Sequence, residues 1–288
     1  MSTRVAFKKM VASGNDFVLL EAGSKKSEVR GQRSEDRGQR SEGRALSSLA
    51  KKMCDRKYGI GADGLLVMET SKTADARMRI FNADGSEAQM CGNGARCAAL
   101  WVNEKLRIKD RRLKIETKAG LLRAEVSGEQ VRIQLTDPKD VRLHVPITVN
   151  NRPLKVHFIN TGVPHTIIFV AGIELIDVDG LGRLIRHHRY FKPAGTNVDF
   201  VQVSGDDLIR VRTYERGVEA ETLACGTGSV AAAIMYSYQL PVRNRYHIKV
   251  LTQGGEVLSV YFEKKDNAFI NVWLEGKARN VFEGGYYV

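Results

Sequence analysis

Met90–Leu100 reads MCGNGARCAAL and Ala224–Ile234 reads ACGTGSVAAAI. Each sets a cysteine and a Gly-x-Gly directly ahead of an alanine-rich run. Glycine lets the backbone turn tightly and alanine favours a helix, so both stretches read as a turn feeding a helix. The same junction built twice in one chain points to an internal repeat.

The flanking sequence extends that repeat in both directions. SGNDFVLLEA (Ser13–Ala22) parallels TGVPHTIIFVA (Thr161–Ala171), and GIGADGLLVME (Gly59–Glu69) parallels PAGTNVDFVQV (Pro193–Val203). FNADGSEAQMCGNGARCAA parallels TYERGVEAETLACGTGSVAAA, LKIETKAGLLRAEV parallels IKVLTQGGEVLSVYF, and VRIQLTDP parallels FINVWLEG. Five blocks in one order predict two similar halves, 1–142 and 143–288. Within each, β-branched runs end at Gly, Asn or Asp turns. The expected class is α+β: two pseudo-symmetric domains, each a mostly antiparallel sheet or open barrel around a central helix, with the active site in the cleft between them. The helix after Cys225 is apolar nearly all round and is expected to be buried.

RGQRSEDRGQRSEG (Arg30–Gly43) is a tandem heptapeptide without an apolar residue, so it has no face to bury. It reads as a mobile insertion, about 23–44, ahead of the helix RALSSLAKKMCDRKYG, and as dispensable for catalysis.

Composition narrows the function. Hydrophobic residues make up 43% and charged residues 27% of 288, a normal globular balance. No apolar run approaches the ~18 residues of a membrane span, and the N-terminus lacks a secretory h-region, which predicts a cytoplasmic protein without membrane partners. The net charge of +12 is not organised as a basic helix with interleaved aromatics; residues 24–44 alone hold seven Lys/Arg against four Asp/Glu. A solvated basic surface is expected rather than a nucleic-acid partner. Four scattered cysteines without CxxC or zinc-ligand spacing support neither a disulfide framework nor a metal site.

The Gly-x-Gly leaves the first helical N–H groups open to an anion such as a carboxylate. A cysteine there has its thiolate stabilised below the ordinary ~8.5. A structural cysteine before a glycine turn satisfies one such junction equally well. Two of them suit two-base inversion of a stereocentre, in which one thiolate removes an α-proton and the opposing thiol protonates the other face. The carbanion's charge spreads into the α-carboxylate at the helix starts. No cofactor is required. Cys54 and Cys97 lack the glycine junction and read as packing residues, and the histidines other than His165 read as ordinary surface or strand residues.

The motifs SGNDF, FNADGSEAQMCGNGARC, TGVPH, GTNVDF and YERGVEAETLACGTG resemble the diaminopimelate epimerases over essentially the whole chain apart from 23–44. Those are PLP-independent isomerases interconverting LL- and meso-diaminopimelate in lysine and peptidoglycan precursor synthesis. Proline racemases share the fold and cysteine pair but typically show CGH at the first site. The resemblance implies Cys91 and Cys225 as the thiol pair, with Cys225 accepting the proton from LL substrate and Cys91 donating one. It implies Gly92-Asn93 and Gly226-Thr227 as holders of the α-carboxylate. Asn15, Asn82, Asn197, Glu215 and Arg216 match positions that contact the substrate, largely around its distal end. His165 matches a histidine that supports catalysis with Glu215 by steering the reacting ammonium. Taken alone, each Asn fits turn chemistry and Glu215–Arg216 fits a surface pair. Some members carry Asn where this chain has Val163 and Gln where it has Gly64, departures that touch substrate identity rather than reaction type. The expected partner is a small-molecule substrate, with a homodimer as the one assembly left open. Alternatives are a racemase of another amino acid on this fold and a thiol redox protein using Cys91 and Cys225.

Overall fold

The computed structural model describes residues 4–22, 35–107 and 112–288. In chain order its elements are β1 (Arg4–Ala12), β2 (Asn15–Glu21), α1 (Glu35–Cys54), β3 (Gly64–Glu69), β4 (Ala76–Asn82), β5 (Glu87–Ala88), α2 (Gly92–Leu106), β6 (Arg112–Thr117), β7 (Gly120–Ser127) and β8 (Gln130–Gln134). There follow β9 (Lys139–Val149), β10 (Arg152–Asn160), β11 (Pro164–Phe169), α3 (Val178–Arg186), β12 (Asn197–Gly205), β13 (Leu208–Glu215), β14 (Ala220–Thr222), α4 (Gly226–Ser237), β15 (Arg245–Thr252), β16 (Val257–Lys265), β17 (Ala268–Lys277) and β18 (Arg279–Tyr287).

The chain divides into two compact units, residues 1–133 with 277–288, and 134–276. In the first, the strands run β18-β1-β2-β3-β4-β6-β7-β8, with β5 as a short arm on β4. The β2–β3 and β4–β6 pairs are parallel and the others antiparallel. In the second, the order is β9-β10-β11-β12-β13-β15-β16-β17, with β14 as the arm on β13. Its parallel pairs, β11–β12 and β13–β15, occupy the same places in the series. All five repeated sequence blocks land on corresponding elements. Each sheet is therefore mixed, with antiparallel pairs in the majority.

The sequence division at 142/143 differs from these units for a topological reason. β9 opens the second sheet, and its counterpart in the first sheet is β18, the last strand of the chain, which pairs along β1 from Arg4↔Tyr287 to Val11↔Arg279. The C-terminal segment thus completes the first unit. The linear repeat hides this, because the matching strands sit at the start of one repeat and the end of the other.

Helices α2 and α4 begin at the first glycine of each Gly-x-Gly, so the triplet forms the first turn of the helix rather than a turn ahead of it, and both helices are buried along most of their length. Every residue from Asn93 to Val102 in α2 and from Gly228 to Ser237 in α4 is buried. Outer helices cover the opposite sheet faces. In the first unit Ala50 and Met53 of α1 pack with Val18, Leu20, Leu65, Val67 and Phe81. In the second, Val178 and Ile185 of α3 pack with Phe158, Ile168, Val198, Phe200 and Tyr214. With alternate side chains on opposite faces, Leu66 and Asp199 turn the other way, toward α2 and α4.

The expected insertion at 23–44 lies outside the described residues up to position 34. From Glu35 onward, however, the chain is already the opening of α1, so the second heptapeptide copy is helical. Once the apolar end of α1 is anchored, adding Arg, Gln and Glu residues extends an existing helix at little cost. Among the described residues, no helix is long and apolar enough to cross a membrane.

Candidate active site

In the first unit, Cys91 sits at the N-cap of α2 in extended backbone (φ −141°, ψ 125°) and is half-buried. Two residues on, the buried Asn93 side chain is gripped from both ends. Its Oδ1 accepts from Arg96 Nη2 at 2.6 Å, and its Nδ2 donates to Asn15 Oδ1. Asn15 Nδ2 in turn donates to Asp63 Oδ2 at 3.1 Å. Each amide is held in one orientation by this chain of partners. Arg96 is 0% exposed and also donates to Ser13 Oγ at 2.6 Å.

Asp63 belongs to a charged cluster below. Arg56 reaches Asp63 at 2.7 Å and Asp16 at 2.8 Å, and Lys9 Nζ reaches Asp16 at 2.7 Å. Burial alone would raise the Asp16 carboxyl. Hydrogen bonds and charges from Arg56 and Lys9 overturn that and hold it at about 2. Asn82, at the end of β4, is exposed and donates to Ser86 Oγ at 2.9 Å.

In the second unit, Cys225 takes the same N-cap position on α4 (φ −115°, ψ 112°) but is 7% exposed. Its Sγ lies 3.5 Å from Thr227 Oγ1. Thr227 Oγ1 lies 3.0 Å from His165 Nε2, and His165 Nδ1 lies 2.7 Å from Asp199 Oδ2. Asp199 Oδ1 accepts from Thr213 Oγ1 at 2.8 Å. His165, Asp199 and Thr213 are buried. Asn197 Oδ1 accepts from the Arg216 backbone N–H at 2.8 Å, and its Nδ2 donates to Pro164 O at 3.1 Å. The Arg216 guanidinium donates to Ala194 O at 3.2 Å, and Glu215 Oε2 accepts from Thr222 Oγ1 at 3.1 Å. Burial pushes the Glu215 carboxyl up, against the hydrogen bond from Thr222 and the nearby His165.

The second glycines of the two helix starts differ in how tightly they are enclosed. A Cβ on Gly228 would fall 2.3 Å from Asp199 Oδ1, and one on Gly94 would fall 3.1 Å from Leu66 Cδ2 and 3.2 Å from Ile80 Cδ1. At Gly64 a Cβ would meet the Phe81 carbonyl at 2.9 Å, so this backbone leaves no room for the side chain other sequences carry there.

The Cys225 thiol departs from expectation. A helix start alone lowers a thiol's pKa, yet here it stands well above the usual thiol value. Desolvation is the largest cause, the charges of Glu215 and Asp199 add to it, and the Thr227 hydroxyl and Gly228 N–H oppose it without prevailing. Cys225 therefore rests as a protonated thiol. Cys54 is buried and its thiol is pushed up to about 11, as expected of a packing residue. Cys97 is likewise buried.

The structure brings together Asn15 with Asn93, and Cys225 with Thr227 and His165, while Asn82 pairs across the sheet with Gly64 and bonds Ser86. Sequence reading missed Arg96, Asp63, Thr213 and Asp199. Asp199 had a signal: an acid set between Val198 and Phe200 in the strand NVDFVQV. Among the described residues, no group of three or more His, Cys, Asp or Glu could hold a metal ion.

A profile described as diaminopimelate epimerase matches residues 7–141 and 157–281 of this chain. The chain is 42% identical over 282 residues to a diaminopimelate epimerase of Aquifex aeolicus, covering 96% of each chain. Among solved structures it is similar to a Bacillus anthracis phenazine biosynthesis protein of the PhzF family (TM-score 0.71, 16% identity, 99% of each chain). It is similar also to a hydroxyproline epimerase of Agrobacterium vitis (TM-score 0.69, 14% identity, 99% of this chain and 91% of that one). At such identities the likeness concerns the fold.

Proposed function

The chain is a member of the diaminopimelate epimerase family, an isomerase, and from that premise we propose that it interconverts LL- and meso-diaminopimelate with two cysteine thiols. The observation that carries this reading is the duplicated junction: Cys91 and Cys225 each cap a buried helix at its opening, in extended backbone, ahead of a Gly-x-Gly.

In this mechanism the two thiols act on opposite faces of one α-carbon. With LL substrate, Cys225 as thiolate removes the α-proton and Cys91 delivers one to the other face; in reverse the roles exchange. The N–H groups opening α2 and α4, at Gly92-Asn93 and Gly226-Thr227, take the α-carboxylate. Their dipoles face charge that grows as the carbanion forms, so they stabilise the transition state more than the bound substrate. Asn15, Asn82, Asn197 and Arg216 recognise the distal amino-acid end, where guanidinium and amide groups match a carboxylate. Glu215, with its raised pKa, serves the reacting ammonium. The chemistry uses the chain's own thiols, which suits a reducing cytoplasm and a place in lysine and peptidoglycan precursor synthesis.

As a protonated thiol, Cys225 is ready to donate in the meso-to-LL direction. Serving as base toward LL substrate first requires that it lose its proton.

The test is chiral chromatography of LL-diaminopimelate incubated with reduced full-length chain and no added cofactor. Formation of the meso isomer until both forms coexist is expected. Failure with this substrate, but racemisation of proline, hydroxyproline or glutamate, would overturn the substrate and leave the thiol chemistry standing.

A further inference from the structure

The proposed chemistry does not explain why β12 buries a carboxylate beneath the opening of α4. Asp199 is 0% exposed, with Oδ1 accepting from Thr213 and Oδ2 lying 2.7 Å from His165 Nδ1. A carboxylate only accepts, so the hydrogen in that contact is on His165 Nδ1, and when the ring carries that one hydrogen Nε2 is an acceptor. Facing Nε2 are Thr227 Oγ1 at 3.0 Å and, more distantly, Asn197 Nδ2 at 3.4 Å. Thr227 has one hydroxyl hydrogen. When it goes to Nε2, the oxygen's lone pairs are free to accept from the Cys225 S–H, 3.5 Å away. The chain of bonds then runs in one direction, from Cys225 through Thr227 and His165 to Asp199.

We propose that the Thr227 hydroxyl is the bridge that moves the Cys225 proton to His165, and that Asp199 is the positioning residue that fixes the histidine tautomer able to receive it. This rests on the reading of Cys225 as the base for LL substrate. The Cys225 proton passes to Thr227 Oγ1 as the Thr227 proton passes to Nε2. Thiol plus imidazole become thiolate plus imidazolium, with no other reactant. Asp199 beside the ring stabilises the imidazolium, as a carboxylate does in a hydrolase triad. Glu215 on β13 also acts on Cys225 and His165, opposing the thiolate and favouring the imidazolium. After inversion Cys225 carries the former α-proton as a thiol, Cys91 is the thiolate and His165 still holds its extra proton; loss of that proton to water and protonation of Cys91 from water restore the starting state.

At the corresponding places in the first unit the residues differ. Phe17 pairs with Gly64 where His165 pairs with Asn197, and Leu66 pairs with Ile80 where Asp199 pairs with Thr213.

Because only the thiolate reacts with iodoacetamide, the alkylation rate of each cysteine near neutral pH, mapped by mass spectrometry on the reduced full chain, reads the bridge directly. Thr227→Val keeps the shape and removes the hydroxyl, whereas Thr227→Ser keeps the hydroxyl and removes a methyl. Thr227→Val is expected to slow both Cys225 alkylation and LL-to-meso kcat about tenfold or more, and Thr227→Ser to restore most of that loss. Asp199→Asn is expected to follow Thr227→Val, because an amide that accepts from Thr213 turns its N–H2 toward His165 and reverses the tautomer. The Cys91 rate is expected to stay unchanged throughout. Thr227→Val labelling and turning over like the parent, or Thr227→Ser falling below Thr227→Val as a packing role would require, overturns the proposal. If the parent does not epimerise diaminopimelate, the substrate reading fails while the labelling order still decides the bridge.

Discussion

Under the first turn of α2 lie Leu66 and Ile80; under the first turn of α4, at the same places in the sheet, lie Asp199 and Thr213. The backbone plan is the same in both units, down to which strand pairs are parallel. What differs is the floor. One helix start stands on an apolar surface and the other on a buried, hydrogen-bonded carboxylate. A duplicated frame can thus place two cysteines on like helix starts above unlike surroundings, and the pKa of a buried group such as Cys225 follows the few atoms around it.

The largest effects should come from the thiols themselves. Cys91→Ala and Cys225→Ala are each expected to lower epimerisation by about 10²–10⁴-fold with melting curves nearly unmoved. Full activity in either variant would overturn the proposal that both thiols serve one reaction.

Exchanging the floors sharpens the contrast on stability. Leu66→Asp places an unpaired carboxylate under α2 and should cost about 3–5 kcal/mol in urea unfolding. Asp199→Leu leaves Thr213 and His165 without their partner and should cost less, about 1–3 kcal/mol. Equal losses would mean that the two floors are not distinguished by their polarity.

Alanine at the two close glycines should separate the units further. Gly228→Ala pushes a methyl against Asp199 Oδ1, which Thr213 and His165 hold in place, and should cost about 2–3 kcal/mol. Gly94→Ala meets the flexible ends of Leu66 and Ile80 and should cost about 1 kcal/mol.

The smallest effect concerns the first unit's charged cluster. Asp16 titrates at about 2 in the folded chain, below an unfolded carboxyl near 4, so its pairing with Arg56 and Lys9 stabilises above that unfolded value. The contribution is lost as pH falls from about 4 toward 2. Asp16→Asn should remove about 1–2 kcal/mol at neutral pH, allowing for solvent around the pair, and flatten the acid limb of stability. An unchanged acid limb would exclude Asp16 as its source.

Much of the fold was legible because each repeated block carries its own local signal: a glycine turn, a β-branched run, an alanine helix. β18 was not, since ARNVFEGGYY resembles no neighbouring block and its structural counterpart, β9, belongs to the other half. The start of α1 was hidden by a heptapeptide with no apolar face. In the site, the cysteines and Asn93, Thr227 and His165 were readable from their motifs. Asp199 and Arg96 were not, because their roles depend on burial against partners distant in sequence, Thr213 and His165 for one, Ser13 for the other. The raised Cys225 pKa was missed for the same reason: the helix start is written locally, whereas the desolvation and the charges of Glu215 and Asp199 come from the tertiary fold.

The most direct test of the proposal that two thiols serve one substrate is proton NMR of LL-diaminopimelate in D2O with reduced enzyme at early times. Two thiols on opposite faces predict meso product carrying deuterium at the inverted α-carbon while the remaining LL substrate still carries hydrogen. Meso product that retains the substrate's own hydrogen would mean that a single group serves both faces, and would contradict the account.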